Sequence, residues 1–157
     1  MTTLRLVAIG LAIVPLALLV AGQAGLLSGS RPAGLGVEDG RLTPVPEPLR
    51  NAVSSTASTD RHRIAPLPIS GEPEASFGRL RALIAADAGA RIVTERPGYL
   101  HAEYTSRWLR FVDDVEFLLD PRERVIHVRS ASRLGRSDLG VNRRRIESIR
   151  ARLDAVR

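Results

Sequence analysis

The stretch FVDDVEFLLDPRERVIHVRSASRLGRSDLGVNRRRIESIRAR, Phe111–Arg152, decides the fold. Its first third alternates apolar and acidic residues. Its second alternates apolar and basic residues. Its last third recurs at helical spacing behind a Gly/Ser/Asp turn. Period two is the signature of a half-buried strand and period 3.6 that of an amphipathic helix. The stretch therefore reads as strand Phe111–Asp120, a turn around Pro121–Glu123, strand Val125–Arg133, and a helix starting near Ser137. Ser137 stands as a plausible N-cap, and Asp138 falls in the first turn, where the helix dipole favours an anion. Leu139, Asn142, Ile146, Ile149, Leu153 and Val156 form one stripe. Asn142 is the polar member of that stripe. A buried amide without partners costs a few kcal/mol, so Asn142 is expected to pin the helix to the RSASR strand.

Working outward, Ala90–Glu95 and Tyr99–Arg107 flank the turn Arg96-Pro97-Gly98 and add two strands. Short connections make neighbours antiparallel. Before them, Phe77, Leu80, Leu83 and Ile84 mark a helix of about three turns closed by Gly89. The expected fold is α+β: a four-stranded antiparallel sheet covered on one face by two helices. Prolines at 44, 46, 48, 66, 68 and 73 argue for an extended segment wrapping the domain, with a short strand near His62–Ile64 and anchors at Val53, Ile64 and Leu67. Residues 29–49, rich in Gly, Ser and Pro, read as a flexible linker, and 50–157 as the globular domain.

The chain opens differently. Leu6–Leu27 holds 22 residues without a charge. A helix of that length reaches about 33 Å, enough for a bilayer core of roughly 30 Å. Residues 1–28 read as a transmembrane anchor, or as a signal peptide cleaved after Gly22-Gln23-Ala24. Either reading places the domain outside the cytoplasm, at the inner membrane or in the periplasm.

Composition excludes several chemistries. Without cysteine there is no disulfide, thiolate site or lipoprotein acylation, and all 23 basic residues are arginine, so Schiff-base and phosphate-loop lysines are absent. No HExxH or Gly-x-Ser-x-Gly pattern occurs, so neither a metal nor another cofactor is expected. From Pro121 to Arg157 there are 11 Arg against four Asp and Glu, a balance of +7. Arg143-Arg144-Arg145 and Arg150 are expected to be exposed and able to meet anionic lipid. Nucleic acid is disfavoured by the export signal and by scarce aromatics.

Strand alternation sorts the side chains. Leu100, Ala102, Tyr104, Val115, Phe117, Leu119, Ile126 and Val128 should face the helices. His101, Glu103, Thr105, Asp114, Glu116, His127, Arg129 and Arg133 should face outward. Asp113 falls on the core side near Ser130 and Ser132. The outward face is either a solvated ion-pair surface or a seat for an anionic ligand or an envelope protein, bound by Arg129, Arg133, Glu116, Glu103, His127, Ser130 and Ser132. An enzyme would use Asp113 or Asp114 as general base with Arg129 or Arg133 as anion clamp. Asn142, Ser137 and Asp138 read as structural.

Asn51-Ala52-Val53-Ser54-Ser55, His62–Leu67, FVDDVEF, HVRSASRLGRSDLGVN and RRRIESIR together resemble the family called domain of unknown function 1499, over about Asn51 to Leu153. The resemblance implies an exported, membrane-attached or lumenal protein of bacterial or plastid type and implies no activity. Many members carry cysteine where this chain has Ala52, which argues against a thiol role common to the family. It adds weight to Asp113, Asp114, Arg129, Ser130, Ser132, Arg133, Ser137, Asp138 and Asn142.

Overall fold

The computed structural model describes residues 2–45 and 48–155. In chain order the elements are α1 (Thr2–Gln23), β1 (Val37–Glu38), β2 (Arg41–Leu42), β3 (Ala52–Ser54), β4 (Leu67–Pro68), α2 (Pro73–Ala85), β5 (Ala90–Arg96), β6 (Tyr99–Thr105), β7 (Val112–Asp120), β8 (Val125–Ser132) and α3 (Val141–Asp154). The architecture is α+β, as expected, but the main sheet has six strands rather than four. Its order is β3-β8-β7-β6-β5, with β4 also on β8, and every pairing is antiparallel.

The four central strands follow the alternation in the sequence. Phe117 pairs with Leu100 on one side and Val128 on the other, so three large apolar residues meet on one face. That face packs on Leu80 and Ile84 of α2 and Ile146 and Ile149 of α3. All seven are essentially inaccessible to water. Burying each contributes roughly 1.5–3 kcal/mol, which is what holds both helices to the sheet.

The two extra main-sheet strands, β3 and β4, come from the Pro-rich segment. Both pair with the same edge of β8, one after the other along it, because β8 would otherwise be an edge with unpaired backbone groups. Val53, Ile64 and Leu67 anchor the segment in the core as expected. The short strand expected at His62–Ile64 is instead one isolated bridge, Ser54 to Arg63.

Residues 29–45 are not a free tether. β1 and β2 form a hairpin, and the segment lies across the second face of the sheet with Leu42 and Val45 buried. The rest of the expected linker includes residues 46 and 47, which lie outside the described residues. The domain is thus three layers: helices, sheet and strap.

α3 begins at Val141, four residues beyond Ser137. Leu139 and Gly140 both take left-handed backbone, which an α-helix cannot accommodate. Val156, the last member of the expected stripe, lies outside the described residues. α1 runs for 22 residues, with Ile13, Val14, Leu16, Leu18 and Val20 exposed. Among the described residues no helix is long and apolar enough to cross a membrane, so the structure does not bear out the transmembrane anchor expected at residues 1–28. The end of α1 rests on the β6–β7 loop: Gln23 Nε2 donates to the Trp108 carbonyl at 3.0 Å. A Cβ added at Gly22 would come within 2.4 Å of the Leu109 carbonyl oxygen, so only glycine permits this approach.

Candidate functional site

The structure gathers the acid and arginine residues of the sheet's second face into one network, beneath the strap rather than in solvent. Glu116 is fully buried. Arg129 Nη1 donates to its Oε2 at 2.8 Å, and the Tyr99 hydroxyl and the Gly36 amide donate to its Oε1 at 2.8 and 2.6 Å. Arg133 forks onto Asp114, both bonds 2.8 Å, and also reaches Glu103. His101 Nε2 lies 2.9 Å from Oδ1 of the same Asp114. Arg31, from the strap, and Arg91 complete the shell of Glu103.

The electrostatics follow. Burial alone would raise the Glu103 carboxyl, but hydrogen bonds from Arg31, Arg133 and Arg91 outweigh it and hold the group at about 2. Asp114 is pulled below the usual carboxylate range in the same way, with burial opposed by Arg133 and His101. Burial, then the neighbouring Glu116, push the Tyr99 hydroxyl up. The expectation of an outward face therefore fails in one respect: the residues share a side, but that side is closed. Carboxylates that must be buried need donors, and Arg31 and the Gly36 amide supply two of them from the strap.

Across the sheet lies a second network, around Asn142, which is wholly buried. Its Oδ1 accepts from Ser130 Oγ and Arg145 Nη1, at 2.5 and 2.6 Å. Its Nδ2 donates to the Asn51 carbonyl and Ser132 Oγ, at 2.9 and 3.0 Å. The expected pinning of helix to RSASR strand is what the geometry shows. Asp113 pairs with Arg145 here, and the same guanidinium stacks 4.7 Å from the Tyr104 ring centroid. Asn51 and Arg145 join this site although the sequence reading does not single them out for it. The signal for Arg145 was its position one turn after Asn142, on the same helix flank. The N-cap of α3 is Gly140 rather than Ser137, and the Asp138 carboxylate just upstream accepts from the Gly140 and Asn142 amides at 3.0 and 2.8 Å. Burial opposes ionisation there, but those amides hold the carboxyl low.

Of the four helix arginines expected to be exposed, Arg144 is; Arg143, Arg145 and Arg150 are half-buried and engaged. Arg143 donates to the Arg61 and Arg63 carbonyls, and Arg150 to those of Ala65 and Pro66. Arg144, which is exposed, reaches the Leu139 carbonyl.

His127 stands apart from Arg133, six residues along the strand, or roughly 20 Å. It joins Asp120 and Glu123 at the β7–β8 turn, and one ligand atom from each lies within 4.8 Å of the others. The carboxylates stand 3.9 and 3.6 Å from Nε2, while Ser55 Oγ holds Nδ1 at 3.2 Å. An imidazole and two carboxylates are a donor set for a divalent cation, and sequence spacing did not flag it because the turn brings the three together.

A cavity of about 320 Å³ opens at the end of the sheet, between the β6–β7 and β8–α3 loops. Its walls are mainly apolar, with Phe111, Val112, Leu134, Leu139 and Val141, and Ser132, Asp113, Ser137 and Asp138 also line it. Four residues to which the resemblance gave weight thus line one hollow.

An α+β domain with an antiparallel sheet, two helices on one face and a strap-covered ion-pair network on the other is the class defined here. The chain belongs to the family described as "Protein of unknown function (DUF1499)", matched over residues 41–153. No curated protein and no solved structure matches it.

Proposed function

We propose that this protein is a non-enzymatic binding module of the cell envelope, attached or exported through α1, and that its ligand is an amphiphile with a hydrocarbon chain. The observation that carries this reading is the cavity between the β6–β7 and β8–α3 loops. Its volume, about 320 Å³, falls at the lower end of the range for small-molecule sites, roughly 300–1,000 Å³. Mainly apolar walls with a few polar groups among them suit a chain-bearing molecule with a small head. The charge-free run Leu6–Leu27 supports the envelope placement, as do the exposed apolar side chains of α1.

The Arg/carboxylate face is a weaker seat. Arg129 and Arg133 both carry carboxylates already, and an anion would have to displace the strap. As general bases, Asp113 and Asp114 are similarly disfavoured, since each is held as an ion pair and Asp114 is driven toward its charged form.

The test is native mass spectrometry of the full chain released from membranes in mild detergent. A co-purifying amphiphile at one equivalent is expected. Val141→Trp, a change at a half-open wall position, should abolish it while leaving the melting temperature unchanged. A folded protein that carries detergent alone, or one whose amphiphile survives Val141→Trp, would refute the assignment.

A further inference from the structure

We infer that the end of the domain built by residues 106–111 and 134–141 docks onto an anionic phospholipid surface. The inference builds on the proposed membrane attachment, because α1 is what brings this end to the bilayer.

Four observations converge on that end. The first is exposed apolar surface: Trp108 is 64 % and Leu139 85 % accessible, and Phe111, Leu134 and Val141, which line one hollow with Leu139, are exposed too. Contiguous apolar surface is costly in water and marks an interaction site. The second is position. Trp108 and Leu109 are the residues against which the end of α1 packs, and the exposed Leu26 follows directly. Wherever α1 meets the bilayer, this loop arrives with it.

The third is charge. Arg107, Arg110 and Arg136 are exposed on the same two loops, and Arg107 lies over the Trp108 ring at 4.9 Å. The one acid on these loops, Asp138, spends its carboxylate on the Gly140 and Asn142 amides. Tryptophan with arginines is the pairing that sits at headgroup level in membrane interfaces. Because three exposed guanidiniums here meet no exposed carboxylate on their own loops, the surface is complementary to acidic headgroups. The fourth is backbone cost. Arg110 and Leu139 hold left-handed conformation, with φ of 58° and 52°. That conformation costs a residue bearing Cβ roughly 1–2 kcal/mol. At Leu139 it serves to present a leucine to the outside, and strain held at an exposed tip points to use.

Trp108 is the only tryptophan in the chain, so its own fluorescence reports the docking without a label. The full chain would be reconstituted in vesicles of phosphatidylglycerol and phosphatidylcholine, with phosphatidylcholine alone as control. In the acidic vesicles Trp108 emission should shift to the blue, resist acrylamide, and be quenched by brominated lipid. In the neutral vesicles it should stay wet. Each arginine near an acidic surface is worth about a factor of five, so Arg107→Ala/Arg110→Ala/Arg136→Ala together should weaken docking about 100-fold and return Trp108 to water.

Carbonate extraction of the same samples reads attachment through α1 separately. Protein that resists carbonate while Trp108 stays open to acrylamide would overturn the docking and leave the attachment standing. Protein stripped by carbonate, with Trp108 still quenched by lipid before extraction, would overturn the attachment and support the docking. Equal protection in neutral vesicles, or protection only in native membranes and not in pure lipid, would replace the acidic surface with another partner and overturn the inference.

Discussion

Replacing Glu116 by glutamine removes one charge and almost no volume from the centre of the strap-covered network. Glu116 is 0 % and Arg129 5 % exposed. The amide oxygen can still accept from the Tyr99 hydroxyl and the Gly36 amide, which both use Oε1. The amide nitrogen then faces the Arg129 guanidinium, two donors with no acceptor between them. Arg129 Nε already has no hydrogen-bond partner, so the variant leaves a buried cation with nothing to balance it. Stranding one half of a buried pair costs about 3–5 kcal/mol. At roughly 4 °C per kcal/mol for a domain of this size, the melting temperature should fall by about 12–20 °C. The companion variant is Glu116→Gln with Arg129→Met, which removes the orphaned charge and keeps the volume. It should recover most of the loss, because an apolar replacement of a buried pair is often neutral. Thermal and urea unfolding of wild type, Glu116→Gln, Arg129→Met and the double variant at neutral pH would yield the coupling energy. A single variant within about 1 kcal/mol of wild type, or a double variant no better than the single, would refute the view that charge balance holds this face.

Two other outcomes follow from the networks. Glu103 is held at about 2, below its unfolded value near 4.5, so it contributes stability that is fully present above pH 4.5. That stability is lost as pH falls through 2, and Glu103→Gln should flatten the acid limb of a plot of urea midpoint against pH in that window. Asn142→Ala leaves Ser130 Oγ, Arg145 Nη1, Ser132 Oγ and the Asn51 carbonyl short of a partner at once. It should cost about 3 kcal/mol or more and free α3 first, seen as early hydrogen exchange in residues 142–150.

Particular residues show how far the chain could be read. Glu116, Arg129 and Val128 went to their correct sides because a strand has period two and no other freedom. Asn142 was legible because one amide in an apolar stripe must find partners, and the RSASR strand was the nearest source. Ser137 misled because Ser and Asp in sequence are equally good caps. Only backbone geometry, with Leu139 and Gly140 left-handed, moved the helix start onward. β3 and β4 escape a reading of the sequence because strands of two or three residues have no period to detect, and the open edge of β8 recruits them.

The strap was invisible for a related reason. Arg31 bonds to Glu103, 72 positions away, and Gly36 to Glu116, 80 positions away. Nothing local in a Gly/Pro-rich segment records such a demand. By itself, the sequence determined what depends on neighbours along the chain: strand alternation, helix stripes, the uncharged opening run and the excess of arginine. The tertiary structure alone decided what depends on distant groups meeting. It closed the charged face with the chain's own linker, since buried carboxylates require donors wherever they can be found. It also brought Trp108, Leu139 and the end of α1 to one edge of the domain.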